Sequence, residues 1–265
     1  MQGYFAGRYF KHQKDGNTIC FIIGRADSGS FLQVITNDQI LQSDDLTHCH
    51  VGPRGLAVNL PRIRGKVTYG PLTPIRSDIM GPFRFLPMQC RHEVISMRHT
   101  LSGGFLIDGS WIDLNGGLGY IEGDKGSSFP REYLWLHCND FPQELSIMAS
   151  VADIPLCGMH FMGCICVVLY RGMEYRLATY HGVKILAASR HQLILKQGPL
   201  RLEIAVDASH SHPLRAPKSG HMTETIHESN CAAARFRFWD GKSLLFDETS
   251  RNCSFECNLR TFPIF

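Results

Sequence analysis

The sequence predicts an all-β protein in which two antiparallel units, each a β-barrel or sandwich, pack together with few short helices. Short runs rich in β-branched and aromatic residues recur along the 265-residue chain, and few windows keep a helical period. Turn-forming residues separate these runs, so antiparallel hairpins can join them without helical crossovers. About a dozen such runs are present, which is too many for one small barrel.

The strands of the first half are predicted from four runs rich in Val, Ile, Phe and Thr. These runs cover residues 18–24, 30–36, 55–60 and 65–69. Ser28-Gly29 separates the first two runs, and Pro61 with a basic turn separates the last two. Weak helical patterns near 86–93 and 222–229 are candidates for short helices.

Three hairpins are predicted from turn dipeptides that lie between alternating runs: Asp108-Gly109, Arg171-Gly172 and Asp240-Gly241. Asp-Gly tolerates the positive φ that a type I′ turn requires, which makes it a strong hairpin signal. A meander over residues 184–206 is predicted to turn at Arg190-His191 and at Gly198-Pro199.

The chain is predicted to divide near its midpoint. Ser127 to Pro130 form a turn-like stretch there, and the strands on either side suffice for two units of similar size. We therefore predict an N-terminal unit over residues 1–126 and a C-terminal unit over residues 127–265.

The charge distribution argues against a nucleic-acid partner. Net charge is +3, and no segment collects the block of basic residues that binds nucleic acid. Residues 1–16 lack the apolar core of a signal peptide, and the longest apolar run, residues 161–170, is too short for a bilayer span of about 20 residues. We expect a cytoplasmic protein without a transmembrane segment, for which peripheral contact with a membrane stays open.

The ten cysteines are expected to be reduced thiols, most of them buried as small apolar residues. Three groupings invite comparison with metal sites: His48-Cys49-His50, Cys164-x-Cys166 and Cys253-x3-Cys257. None has the paired spacing of a structural zinc site, so no metal is predicted. Nucleophile and phosphate-binding motifs are also missing from the sequence.

The richest stretch for chemistry is GYIEGDKGSSFPREYLWLHCN, residues 119–139. It resembles the tocopherol cyclase family, whose members carry Tyr-x-Glu, then Asp or Asn, Trp-Gly and Phe-Pro, followed by Trp-x-Gln-x-Asn. The matching residues here are Tyr120, Glu122, Asp124, Gly126, Phe129, Pro130, Trp135 and Asn139. Further blocks resemble short bacterial members: residues 7–13, 30–35, 72–103, 175–185 and 212–229.

The resemblance implies a lipocalin-like pair of β-barrels and an isomerase that closes a chroman ring on a prenylated quinol. Two positions depart from the family pattern: Lys125 stands where the family has Trp, and His137 stands where it has Gln. The implied partner is a hydrophobic isoprenoid or quinol-like small molecule.

Cyclising a prenyl chain onto a phenol needs a proton delivered to an alkene. The acid must stay protonated near neutral pH, which burial in an apolar pocket can achieve. Aromatic faces should line the site because ring quadrupoles attract the carbocation by about 0.5–2 kcal/mol. Water must be excluded, since it would otherwise capture the cation. This chemistry requires no cofactor.

Alternation along two strands places the candidate residues. Glu122 and Asp124 share a face, and Trp135, His137 and Asn139 share a face of the next strand. We predict Asp124 as the acid, Trp135 as the residue that stabilises the cation and His137 as the acceptor of the phenolic proton. Glu122 and Asn139 are predicted to bind substrate. The simpler interpretation is that Asp124 caps a turn and Trp135 belongs to the core.

Three further residues are predicted to contact the substrate. Tyr180, in ATYHG, is a candidate for orienting it. Asp78 and His92 lie in a segment rich in charged residues that could form a polar patch at the mouth of a pocket. The simpler interpretation, which the sequence favours, is an exposed rim with ordinary salt bridges.

Three functions remain open at this point. A cyclase, or a related isomerase or hydratase, requires a buried carboxylate that faces an apolar, aromatic cavity. A non-catalytic carrier requires the cavity with Glu122 and Asp124 pointing to solvent. A structural protein requires that side chains fill the barrel.

Overall fold

The computed structural model describes residues 3–156 and 158–259, in which twenty β-strands form two antiparallel sheets that are not closed. The predicted all-β class is therefore confirmed, as two packed sandwich-like units. Each sheet has ten strands. All strands before residue 127 belong to the first sheet, and all strands after residue 132 belong to the second.

The first sheet has the order β4-β3-β2-β1-β10-β8-β7-β6-β5, with β9 paired to β8. Its strands are β1 (Phe5–Lys14), β2 (Asn17–Ala26), β3 (Gly29–Ile35), β4 (Ile40–Ser43), β5 (Cys49–Gly52), β6 (Gly55–Leu60), β7 (Ile63–Tyr69), β8 (Cys90–Ile107), β9 (Ser110–Asp113) and β10 (Leu118–Gly126).

The second sheet repeats this plan with the order β14-β13-β12-β11-β20-β19-β17-β16-β15, and β18 pairs with β19. Its strands are β11 (Tyr133–Cys138), β12 (Leu145–Leu156), β13 (Met159–Tyr170), β14 (Met173–Ala178), β15 (Lys184–Ser189), β16 (Gln192–Gln197), β17 (Leu200–Asp207), β18 (His212–Lys218), β19 (His221–Asp240) and β20 (Ser243–Cys257).

Helices are limited, in the described residues, to two single 3-10 turns at Gly81–Phe85 and Thr179–His181, so nothing helical there could span a bilayer. The two weak helical patterns were misleading. Residues 222–229 lie within β19, and residues 86–93 run from an irregular segment into β8. Tertiary pairing overrides weak local helix propensity at both places.

The predicted hairpins are confirmed, and two have the expected turn type. Asp108 and Gly109 both have positive φ, 47° and 84°, as a type I′ turn requires, and Arg171-Gly172 is similar. The third hairpin differs because Asp240 pairs with Ser243. Its central residues are therefore Gly241 and Lys242, and the positive φ of 59° at Gly241 alone makes the turn type II′.

Each half of the chain has its own apolar core. Phe21 and Phe105, fully buried, pack with ring centroids 4.8 Å apart in the first half. Phe236 and Phe238 occupy the corresponding core of the second half. A third apolar cluster joins the sheets and contains Tyr9, Met97, Tyr120, Trp135 and Met148, among others.

Buried polar contacts also join the sheets, along a seam that we define as the contacts of β1, β8 and β10 with β11, β12, β19 and β20. Lys11, on β1, is fully buried and its Nζ donates to the Asn252 carbonyl at 2.5 Å. Asn139 Nδ2 donates to the Gly119 carbonyl at 3.0 Å, and Ser146 Oγ donates to the Met97 carbonyl at 2.6 Å. These bonds satisfy polar groups that would otherwise be costly to bury.

One irregular segment crosses between the sheets. Residues 70–89, which we call the strap, connect β7 and β8 of the first sheet but bind the second. Arg176 donates to the Ser77 and Asp78 carbonyls at 2.9 and 3.0 Å, and Tyr180 donates its hydroxyl to the Ile79 carbonyl at 2.8 Å. The strap thereby covers one side of the space between the sheets.

The predicted division into domains at residues 126 and 127 stays a prediction, and unfolding experiments can test it. We expect Phe21→Ala and Phe236→Ala each to destabilise the protein by about 3–5 kcal/mol, because both rings are fully buried. Since the seam ties the halves together, each variant should lower the midpoint of one common transition in denaturant, followed by fluorescence and circular dichroism.

The matched control is Phe85→Ala, since this ring is 77% exposed, and the expected change is within about 0.5 kcal/mol. Two separate transitions, of which each variant shifts only one, would contradict the single cooperative unit and support two independent domains.

Candidate active site

A cavity of about 160 Å³ lies between the two sheets, beneath the strap. Most of its lining is apolar and aromatic, including Phe5, Tyr9, Phe31, Phe83, Phe129, Tyr133, Trp135 and Phe161. An apolar cavity of about 150 Å³ holds a benzene molecule in another protein, so this one accommodates a ring or a short branched chain. Three carboxyl groups also reach it: Glu122, Asp124 and Glu256.

Glu122, on β10, is 4% exposed and is held from both sheets. Its Oε2 accepts hydrogen bonds from the Tyr120 hydroxyl at 2.5 Å and from Trp135 Nε1 at 3.1 Å. Trp135 belongs to β11, so the second bond crosses the seam. Glu122 Oε1 accepts no hydrogen bond from a described residue, which leaves that oxygen available to a ligand.

His92, on β8, bridges the two carboxylates of β10. Its Nδ1 lies 3.0 Å from Asp124 Oδ1 with hydrogen-bonding geometry, and its Nε2 lies 3.2 Å from Glu122 Oε2. The second contact is too poorly aligned for a hydrogen bond and acts as an ion pair. Burial lowers the pKa of His92, but the charges of Glu122 and Asp124 outweigh it and raise this pKa well above 6.5. The imidazole is therefore a cation near neutral pH.

Among the described residues these three form the one group of His, Cys, Asp or Glu side chains close enough to hold a metal ion. Their arrangement fits a protonated imidazole better than a bound metal ion. Each carboxylate contacts a different ring nitrogen, so they lie on separate edges of the imidazole. A ligand set for one ion would converge on a single point instead. The geometry is that of an imidazolium clasped by two carboxylates.

A second acidic pair lies on the opposite sheet. Glu228 of β19 and Glu256 of β20 are partners across the two strands, and they are 0% and 8% exposed. Burial, together with the charge of Glu256, raises the pKa of Glu228 well above 4.5. Burial also raises the pKa of Glu256, to about 7, against a hydrogen bond from Tyr133 that lowers it.

Of the three residues predicted to be catalytic, the structure places two on the cavity. Asp124 lines it and is partly exposed, where the cavity meets a polar groove that also contains Arg8 and Arg91. Trp135 lines it too, 6% exposed, with its ring edge-on to Tyr9 at 5.3 Å. Lys125, which replaces the family Trp, points away from the cavity and is exposed.

His137 does not line the cavity. Its ring is fully buried and stacks on Tyr120 with centroids 3.5 Å apart, and its Nε2 lies 3.4 Å from Ser146 Oγ. Burial and the nearby Lys11 ammonium lower the pKa of His137 well below 6.5. From this position it packs on Tyr120, which donates a hydrogen bond to Glu122.

Of the predicted substrate-binding residues, some reach the cavity and others do not. Glu122 and His92 reach the cavity, whereas Asn139 is committed to the seam by its bond to Gly119. Tyr180 is a strap anchor, because its hydroxyl binds Ile79. Asp78 is exposed in the polar groove, and its Oδ1 accepts from the Met80 amide at 2.8 Å, which shapes the strap.

Sequence reasoning missed four residues: Tyr9, Tyr133, Glu228 and Glu256. Alternation within β1 and β11 indicates that each tyrosine points inward, but not that it meets a carboxyl group more than a hundred positions away. The one available signal was a glutamate in a strand segment that carries no other charged residue, as at Glu256 in NCSFEC.

Comparison with known proteins gives one family and several structures. A family model described as tocopherol cyclase-like matches residues 59–259, which confirms the resemblance predicted from residues 119–139. None of the curated protein sequences matches the chain significantly. The structure of CghA superposes with a TM-score of 0.64 at 9% identity, covering 97% of this chain and 89% of that one.

Two further structures have the same fold. CghA with Sch210972 gives a TM-score of 0.62 at 10% identity and covers 97% of this chain and 89% of that one. Kievitone hydratase from Nectria haematococca gives 0.54 at 10% identity and covers 96% of this chain and 88% of that one. At these identities the likeness shows a common fold.

The protonation of His92 is a testable property of this site. We expect side-chain ¹⁵N NMR at pH 7.5 to find both ring nitrogens of His92 protonated, because two carboxylates contact them. Buried His12 is the internal control, since burial and the neighbouring His99 lower its pKa to about 3 and keep it neutral. Glu122→Gln should lower the pKa of His92.

The same property has a consequence for stability. The pKa of His92 is higher in the folded than in the unfolded chain. Protonation of His92 therefore adds to the free energy of unfolding in full below pH 6.5, and this stabilisation is lost as the pH rises through the folded-state pKa. A neutral His92 at pH 7.5 would contradict the clasped imidazolium.

Proposed function

Because this chain belongs to the tocopherol cyclase-like family, we propose that it is a cofactor-free acid–base enzyme that closes a ring on, or hydrates, an unsaturated apolar small molecule. The observation that carries the proposal is the apolar, aromatic cavity into which the buried carboxyl group of Glu122 projects. Cyclisation and hydration share the first step, protonation of an alkene, and differ in the oxygen that captures the cation.

We further propose an isoprenoid substrate, a prenylated quinol. The isoprenoid chain would lie against the rings of Tyr9, Trp135 and Phe129, which are complementary to an apolar chain and to a tertiary cation formed on it. The quinol hydroxyl would approach Asp124 and His92 near the polar groove. One of the carboxyl groups on the cavity donates the proton, and the sequence assigns this role to Asp124.

The fold is compatible with capture of the carbocation either by water or by the phenol oxygen. Kievitone hydratase, which shares the fold, is named for adding water, and a water-free cavity would direct the cation to the phenol oxygen instead. The mostly apolar lining favours ring closure here, because it offers few groups that could hold a water molecule beside the cation.

A carrier of hydrophobic molecules is the alternative, and the apolar cavity favours it equally. The two functions differ in the role of the acids. A carrier would need Glu122 and Asp124 turned to solvent, whereas Glu122 is buried and both carboxylates are ordered around His92.

The experiment incubates the protein with geranyl hydroquinone in deuterated water and analyses the product by mass spectrometry. Ring closure should give a chroman carrying one deuteron on carbon, and hydration should give a product heavier by one further water. We expect Asp124→Asn to lower kcat/KM by about 10²–10⁴-fold, the range for a lost acid or base.

Asp207→Asn is the matched control with the same loss of charge, because this carboxylate is exposed at the end of β17 and lines neither the cavity nor the polar groove, and its turnover should be unchanged. If no prenylated quinol is turned over while a fluorescent polyene binds saturably, the carrier function is correct. Full activity in Asp124→Asn would eliminate its role in proton transfer.

A further inference from the structure

The pair Glu228–Glu256 has the construction of a carboxyl dyad. The two residues are opposite one another on β19 and β20, and each carboxyl group influences the pKa of the other. Each also accepts a hydrogen bond from a tyrosine, Glu228 from Tyr9 across the seam and Glu256 from Tyr133 on the adjacent strand β11. The Tyr9 hydroxyl donates to Glu228 Oε1 at 2.5 Å, and the Tyr133 hydroxyl donates to Glu256 Oε2 at 2.6 Å.

The two members of the dyad have different access to the cavity. Glu256 lines it, whereas Glu228 lies behind and is fully buried. Glu228 Oε2 is buried and has no hydrogen-bond partner among the described residues. A proton on this oxygen would let Glu228 donate to the carboxyl group of Glu256, its partner across the two strands.

We propose that Glu256 is the catalytic acid that protonates the alkene, and that Glu228 is a positioning residue that holds the proton of Glu256 toward the cavity. This inference rests on the proposed function and deepens it. Because the dyad belongs to the second sheet and Asp124 to the first, the acid and the base lie on opposite walls of the cavity.

The surroundings of the dyad support a protonated acid near neutral pH. Burial raises the pKa of Glu256 to about 7, and the charges of Glu122 and Asp124 add to the effect. The titratable and charged groups that face the dyad are Tyr9 and Lys11 on β1, Cys20 on β2, Glu122 and Asp124 on β10, and Tyr133 on β11. Lys11 opposes the shift of Glu228, which is nonetheless raised.

The proposed step is balanced in atoms and charge. The O–H bond of Glu256 breaks while a C–H bond forms at the less substituted alkene carbon, which leaves a tertiary cation beside Trp135. The phenol oxygen then forms a C–O bond to the cation, and its proton passes to Asp124. Exchange with solvent through the polar groove returns the proton to Glu256. Asp124 thereby becomes the base, in place of the acid predicted from the sequence.

The first measurement needs no substrate. With ¹³C-labelled glutamate carboxyl groups, NMR titration should find two glutamic acids that stay protonated above pH 6, and Glu256→Gln should remove one of them. Tyr133→Phe should raise the pKa of Glu256 and Glu122→Gln should lower it, because they remove opposite influences. Glu224→Gln, at an exposed site on β19, is the matched control and should change neither signal.

The second measurement uses geranyl hydroquinone and the pH dependence of kcat/KM. Glu256→Gln should reduce kcat/KM by about 10²–10⁴-fold. The limb that falls at high pH reports the acid, so it should move to higher pH in Tyr133→Phe and to lower pH in Glu122→Gln. Glu228→Gln should keep this limb, since an amide donates the same hydrogen bond, whereas Glu228→Leu should move it to higher pH.

Two results would overturn the assignment. One is an NMR titration in which both glutamates ionise below about pH 5, as ordinary carboxyl groups do. The other is wild-type turnover that Glu256→Gln leaves unchanged. Absence of turnover in the wild-type protein is a different result, because it would reject the proposed function together with any catalytic role of the dyad, even if NMR finds the dyad protonated.

Discussion

The hydrogen bond from the Trp135 indole to Glu122 links the two sheets at the point where the cavity begins. A carboxylate at this depth is tolerable only because donors and a cation surround it: Tyr120 from its own strand, Trp135 from the other sheet and His92 from β8. The packing of the two sheets therefore determines which groups surround the carboxylate of Glu122. Sliding one sheet against the other would remove the indole donor and leave the buried carboxylate with the partners of its own sheet only.

The two sheets contribute different kinds of acidic group to the seam. On the first sheet two carboxylates enclose an imidazolium, and on the second two carboxyl groups adjoin two tyrosines. Like charges concentrated in a region of low dielectric raise one another's proton affinity, so the second pair holds protons that isolated glutamates would release. Lys11 limits this effect on the Glu228 side. In the proposed mechanism, the cavity therefore presents a proton donor and a proton acceptor on facing walls.

Much of the fold could be predicted because its signals are local. Strand runs such as 55–60 and turns such as Asp108-Gly109 depend on neighbouring residues, and both occur as predicted. Strand alternation also placed Glu122 and Asp124 on the cavity side of β10. The dyad could not be found in this way, since Glu228 and Tyr9 meet only through the packing of the sheets. By alternation His137 shares the face of Trp135, yet only Trp135 lines the cavity, and His137 is buried against Tyr120, a contact that alternation cannot reveal.

The acids of the cavity stand on regular strands, whereas Met80, Phe83 and Met88 of the strap form part of its outer wall. Strand register fixes the positions of the carboxyl groups. The apolar side chains of the strap belong to an irregular connection, where replacements are better tolerated. Anchoring by Arg176 and Tyr180 engages mainly the backbone of the strap, so its inward side chains can change while its path is kept. Selectivity for the size and shape of a bound molecule can consequently evolve, or be engineered, without disturbing the carboxyl groups on the strands.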